Sequence, residues 1–290
     1  MKRIFCYGDS WTFGLGSEIK PGSGETPIEI KNSLEFQEEH KDKIYSYPGQ
    51  LQKKVGNRFK IINNGIGGGS NYEIYKMILH HLSPNSPTHE RIQFGDTVIV
   101  GWTSILREPL SFFSAVNQQD DNRNPSIVDF SIKQFERTHN NWYPYWIHQI
   151  ISEDLKTSFK KSYEDFIVNR INYNFLYEQS MNYICQLQII FEFFNIKFIF
   201  FNAFEDVLNK NIDFLYNQIK QKNWILPNYT MSDYLCDIEE TLDNSLPYSI
   251  WEDDVKKVER NNDGPHPNRL GYYYIMELIY KKLQETKCLI

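Results

Sequence analysis

Concentrated positive charge is missing from this sequence. Its 31 Lys and Arg stand against 37 Asp and Glu, a net charge of −6, and no basic cluster exceeds a few residues. Nucleic acid is thereby excluded as a main partner, because neutralising a phosphate backbone needs clustered Lys and Arg. The four cysteines (Cys6, Cys185, Cys236 and Cys288) include no CxxC pair. They read as free thiols of a reducing compartment, with two disulfides as the alternative. No HExxH occurs, and His80, His81 and His89 lack a companion acid at ligand spacing, so no metal is expected. Long apolar runs are absent too. The most apolar stretch, from Ile189 to Phe204, is interrupted by Glu192, Asn195 and Lys197, each costly at a bilayer centre. The run at Ile4–Tyr7 is too short for a signal peptide, and the expectation is a soluble, cytoplasmic protein that engages no membrane. There is no internal repeat and no low-complexity linker.

What is present is an ordinary globular composition over 290 residues, 41 % hydrophobic and 23 % charged, enough chain to bury a substantial core. A high aromatic content of 16 % fits either core and surface composition or an aromatic ligand groove. Short apolar, β-branched runs at Arg3–Gly8, Phe59–Ile62, Thr97–Val100 and Ile196–Phe201 read as buried parallel strands. Helical patterns cover Pro48–Val55, the stretch from Tyr72 to Leu79, Tyr163–Phe194 and Asn268–Glu285. Ser17–Lys43 reads as a long loop. The segments near 105–155 and 205–255 read as insertions in a single domain spanning 1–290. Alternating strands and helices predict an α/β fold, a parallel sheet covered on both faces. Ligands of such sheets bind beyond the carboxyl ends of the strands. That rule selects the loops after Gly8, Asn63 and Val100.

The first loop carries Gly8-Asp9-Ser10-Trp11. A serine just past a strand, at the start of a helix, meets backbone N–H groups that favour developing negative charge. Asp and Ser are also ordinary N-cap residues, which is the plainer meaning of the segment. Near the other end of the chain stands Asp263-Gly264-Pro265-His266. A serine hydroxyl needs a base to take its proton, and the base needs a carboxylate to fix its tautomer. Asp and His three residues apart on a proline-stiffened turn can supply both, or can simply form a polar turn ahead of the last helix. The second loop, Asn63-Asn64-Gly65-Ile66-Gly67-Gly68, allows a bare backbone N–H to approach a reacting group. Lacking both GxGxxG spacing and a following Gly-Lys-Ser/Thr, it does not point to nucleotide binding, and no cofactor is expected.

In order and position these blocks resemble the SGNH hydrolases, also called GDSL-type esterases and lipases. That family has a Gly-Asp-Ser segment near its N-terminus, an Asn-x-Gly-x-x-Gly segment after its second strand and Asp-x-x-His near its C-terminus. The resemblance implies a three-layer α/β/α sandwich on a flavodoxin-like parallel sheet of about five strands. It also implies a serine esterase with Ser10 as nucleophile, His266 as base and Asp263 as its orienting acid. An oxyanion hole would use the N–H groups of Ser10 and Gly68. One block departs from the family. Gly101-Trp102-Thr103-Ser104 stands where the family has Gly-x-Asn-Asp, so the resemblance implies Thr103 as the third oxyanion-hole member, its hydroxyl donating in place of the Asn with a shorter reach. Asp9, Trp11, Trp102 and Arg107 are further candidates for substrate contact. The expected substrate is a small-molecule or carbohydrate ester with a short acyl or O-acetyl group. An acyltransferase and a non-catalytic domain of the same fold are the alternatives.

Overall fold

A computed structural model of the chain describes residues 1–14, 17, 44–66, 69–105, 109–112, 128–131, 173–242 and 266–289. In chain order the main elements are β1 (Lys2–Gly8), α1 (Ser10–Phe13), α2 (Tyr47–Val55), β2 (Phe59–Gly65), α3 (Asn71–Leu82) and β3 (Thr97–Trp102). Then follow β4 (Pro109–Phe112), β5 (Val128–Ser131), α4 (Tyr173–Phe193), β6 (Lys197–Asn202), α5 (Asp213–Tyr216), α6 (Met231–Leu242) and α7 (Arg269–Glu285). Strands β4 and β5 pair antiparallel as a separate two-stranded ribbon.

The main sheet has the order β2-β1-β3-β6, with every pairing parallel. Because successive side chains of a strand point to opposite faces, each apolar run feeds two cores. Ile4 and Cys6 of β1, Ile99 of β3, and Ile199 and Phe201 of β6 pack with α2, α6 and α7. The alternate residues Phe5, Tyr7, Val98, Val100, Phe198 and Phe200 pack with α3 and α4. This is why the strands are continuously apolar, and it makes the architecture a three-layer α/β/α sandwich. Beyond β6 the chain lays Trp224 beside Phe200 and Thr230 beside Asn202 in two isolated parallel bridges. That segment occupies the position of a fifth strand without forming a full ladder. The stretch from 205 to 242, expected to belong to an insertion, therefore packs on the sheet edge, with Trp224, Ile225, Met231 and Leu235 all buried. The expected insertion near 105–155 and the first part of the expected helix at Tyr163–Phe194 lie almost wholly outside the described residues.

The sheet order places a topological switch between β1 and β3. From β1 the chain winds outward to β2, then returns to the other side of β1 to make β3. Connections leave such a pair in opposite directions, opening a crevice at the carboxyl ends of the two strands. Gly8 and Trp102 close those two strands, so the segments that start at Asp9 and Thr103 form the rim of the crevice. Among the described residues no helix is long and apolar enough to cross a membrane. All four cysteines are buried free thiols.

Candidate active site

Ser10 opens α1, the single turn that follows β1. Asp9 is its N-cap, accepting the Trp11 N–H on Oδ1 at 3.0 Å, and Gly14 closes the turn in a left-handed conformation at φ 94°. The turn packs directly on the backbone of β2: a Cβ on Gly65 would lie 2.1 Å from the Phe13 nitrogen. Asn63 supports the same contact, donating from Nδ2 to Phe13 O at 3.4 Å and accepting the Gly65 N–H at 3.0 Å. Gly8 is equally confined, since a Cβ there would lie 2.1 Å from Thr12 Oγ1. Glycine is thus favoured at both strand ends, at Gly65 by the close approach of the Phe13 backbone and at Gly8 by the Thr12 side chain.

His266 reaches this turn from the far end of the sequence. It precedes α7, whose N-cap Asn268 accepts the N–H groups of Leu270 and Gly271 at 3.0 and 3.2 Å. The helix is anchored by Tyr272, Ile275, Met276, Ile279 and Leu283, all buried in the core that α7 shares with α2 and α6. That anchoring holds His266 Nε2 at 2.8 Å from Ser10 Oγ, a hydrogen bond between residues 256 apart in sequence. Ser10 is only 2 % exposed. A neutral imidazole with Nε2 unprotonated can accept the serine proton across this contact. Asp263, Gly68 and Arg107 lie outside the described residues.

The other candidate residues take structural places. Thr103 is fully buried, and its hydroxyl donates to Asp9 Oδ2 at 2.7 Å. The family's Asn would offer its side-chain donor to substrate at this place, whereas the Thr103 proton is engaged by protein. Asp9 is fully buried and accepts from Thr103 and Trp11, so its carboxylate links the ends of β3 and β1. Trp102, expected at the substrate, is instead a core side chain with no exposed area, packed edge-on to Phe200 at 5.8 Å. Trp11 is 1 % exposed and packs edge-on to Phe204 at 4.8 Å. Both rings bury the large apolar area with which aromatics dominate cores, in the edge-to-face geometry that ring quadrupoles favour.

One residue that motif reasoning passes over is Asn71, the first residue of α3. It is fully buried, accepts the Thr103 N–H on Oδ1 at 2.9 Å and donates from Nδ2 to Thr103 O at 3.2 Å and Ser180 Oγ at 3.2 Å. The segment after β3 is thus clamped to both α3 and α4. Its sequence signal is the capping box Ser70-x-x-Glu73, which fixes the start of α3 and therefore the place of Asn71. Nearby, Ser104 Oγ donates to Glu205 Oε2 at 2.6 Å, tying the same segment to the residues after β6. Among the described residues no group of three or more His, Cys, Asp or Glu side chains converges as a metal site would.

No family model matches the chain, and no curated protein matches it by sequence. Solved structures with a similar course do exist. An acetyl xylan esterase, AlAXEase, is 12 % identical over 96 % of this chain and 98 % of its own, with a TM-score of 0.42. A carbohydrate acetylesterase family member from Sinorhizobium meliloti is 11 % identical over 99 % of both chains, with a TM-score of 0.39. A lipolytic G-D-S-L family protein from Veillonella parvula DSM 2008 is 12 % identical over 98 % of this chain and 97 % of its own, at 0.35.

Proposed function

We propose that this chain is a metal-independent serine esterase of the SGNH hydrolase type, cleaving short acyl or O-acetyl esters. The observation that carries the proposal is the 2.8 Å contact of His266 Nε2 with Ser10 Oγ, at the switch point of a parallel sheet. A serine and a histidine brought together from opposite ends of the chain, in a location where such folds bind ligands, form a nucleophile and its base. In this mechanism Ser10 Oγ attacks the acyl carbonyl while His266 takes its proton. His266 then returns that proton to the departing alcohol, leaving an acyl group on Ser10. A water, deprotonated by the same imidazole, releases the acid. Asp263, three residues before His266, is the acid assigned to orient the ring.

Charge on the tetrahedral intermediate is assigned to backbone N–H groups, of Ser10 at the first turn of α1 and of Gly68 in the glycine-rich segment. Thr103 has the supporting task of holding Asp9, and through it the entry to α1. This departs from the family pattern, in which a side-chain amide adds a further donor. The loss of one such donor costs about a hundred- to a thousandfold in rate, so turnover slower than that of relatives carrying the Asn is expected.

Labelling with a fluorophosphonate tests the assignment. Wild-type protein should be labelled covalently, and Ser10→Ala and His266→Ala proteins should stay dark while keeping their circular dichroism. Wild-type protein that never labels and never hydrolyses an acetyl ester would sink the enzyme reading and favour a non-catalytic domain.

A further inference from the structure

Two hydrogen-bonding side chains leave the first turn of α2 toward the two halves of the candidate site. Tyr47 is buried, its ring edge-on to Phe201 at 5.9 Å, and its hydroxyl lies 3.3 Å from Thr12 Oγ1. Thr12 stands two residues after Ser10 in α1. Its own proton goes to the Tyr7 carbonyl at 3.4 Å, so the Tyr47 hydroxyl is the donor across this contact. Three residues on, Gln50 Nε2 donates to the carbonyl of Arg269 at 3.1 Å and to that of Tyr45 at 2.6 Å. Arg269 is the first residue of α7 and stands three residues after His266. The Tyr45 ring holds it a second time, with the guanidinium carbon 3.3 Å from the ring centroid.

Helix positions three apart share a face, with about 5–6 Å between their Cβ atoms. Tyr47 and Gln50 therefore reach the serine turn and the histidine helix from one short piece of backbone. That piece is fixed at its start. Ser46 caps it, accepting the Gly49 N–H at 3.3 Å, and Pro48 restricts φ in the first turn. Further along, Leu51 and Val55 pack in the core that contains Tyr272, Ile275 and Met276 of α7. Ser10 and His266 are 256 residues apart in sequence, so their separation depends on what holds α1 and α7 together. A base works only within hydrogen-bond reach of the proton it takes, and a misplacement of about 1 Å can cost about a hundredfold in rate.

We propose that the first turn of α2 sets the distance between nucleophile and base, with Tyr47 and Gln50 as positioning residues that act through Thr12 and Arg269. The kinetic consequences rest on the esterase reading, but the placement of His266 against Ser10 does not, and the two are tested apart. Crystal structures and steady-state kinetics of the full chain carrying Tyr47→Phe or Gln50→Leu supply the test. Tyr47→Phe keeps the ring and removes only the hydroxyl. Gln50 is half-buried, and its variant decides the matter should Tyr47→Phe fail to fold. In each variant the distance from Nε2 to Oγ should rise from 2.8 Å to beyond hydrogen-bond reach, about 3.2 Å. One imidazole serves both acylation and deacylation. Hence kcat for p-nitrophenyl acetate should fall about five- to tenfold or more, with KM held within about twofold. Because both side chains act on one contact, the double variant should lose less than the product of the single losses. Lys54→Ala is the control, since the Lys54 pair with Glu277 at 2.7 Å joins the same two helices farther along. It should leave both the distance and kcat unchanged. A wild-type distance in either folded variant, a raised KM at unchanged kcat, multiplicative losses in the double variant, or an equal loss in Lys54→Ala would each overturn the proposal. Wild-type protein that hydrolyses no ester would count against the esterase reading alone, and the distances would still decide the positioning.

Discussion

The Thr103 hydroxyl donates to the Asp9 carboxylate at 2.7 Å, and neither residue has any exposed area. The bond joins the end of β3 to the end of β1 across the crevice where Ser10 stands. Hydrogen bonds to ionised groups are worth about 1.5–3 kcal/mol, and removing one from a buried carboxylate is costly. Thr103→Val should therefore lower unfolding stability by about that amount in urea titrations, while Thr103→Ser should stay close to wild type. A hydroxyl that served the oxyanion would behave differently, since Thr103→Val would then cost about a hundredfold or more in kcat with little change in the urea midpoint. That pattern would return Thr103 to the oxyanion hole.

Asn71 gives a second, independent test of the same framework. Its side chain satisfies both backbone groups of Thr103, and the partners are all buried. Asn71→Ala leaves an N–H and a C=O of Thr103 short of a partner, at a cost of roughly 1–3 kcal/mol for each such group. Asn71→Asp keeps the acceptor for the Thr103 N–H but turns a buried carboxylate oxygen against the Thr103 carbonyl, so its loss should be at least as large. An Asn71→Ala protein with a wild-type urea midpoint would contradict the clamp.

Gly65→Ala should be among the most damaging single-methyl additions in the chain. The added Cβ would sit 2.1 Å from Phe13 N and 2.5 Å from Phe13 Cα, so the turn carrying Ser10 has to move. Overpacking against backbone costs typically about 1–3 kcal/mol, and here it also displaces the serine, so ester hydrolysis should fall along with stability. Gly95 is the control. Its φ of +86° disfavours a side chain, but nothing lies within 4 Å of the new carbon. Gly95→Ala should cost about 1 kcal/mol and leave activity unchanged. Equal effects of the two substitutions would show that close packing at Gly65 is not what places α1.

The layered fold was legible because its strands are buried on both faces. Continuous apolar runs such as Thr97–Val100 have few other uses in a chain of this composition. Strand ends were less legible: β2 continues to Gly65 through Asn63 and Asn64, polar residues kept in the ladder by pairing with Cys6 and Tyr7. Ser10 and His266 could be picked out because motif spacing survives in sequence, whereas their 2.8 Å approach depends on how α7 packs. The fates of Trp11 and Trp102 were not legible. A tryptophan beside a catalytic-looking serine has the same letters whether it faces ligand or core, and only burial distinguishes the two. Asn71 was hidden for a related reason, as its partners in the segment after β3 are the backbone atoms of Thr103, which leave no mark on the sequence of the segment they hold.

His81 links the fold to pH. Its Nδ1 lies 2.7 Å from the Tyr7 hydroxyl in the core beneath α3, and burial holds its pKa below the ordinary histidine value. Glu90, with Oε2 3.9 Å from His81 Nε2, opposes that shift, and His80 adds to it. An unfolded histidine gains its proton near about pH 6.5, while the folded His81 resists until the pH is lower. As pH falls through that window the unfolded state binds a proton that the folded state does not, so His81 makes the protein less stable. The loss levels off once the folded imidazole is protonated as well. Urea midpoints taken at about pH 7 and about pH 5.5 should therefore drop more in wild type than in His81→Gln, whose amide can still accept from Tyr7 and does not titrate. Equal drops in the two proteins would mean that His81 carries none of the pH dependence.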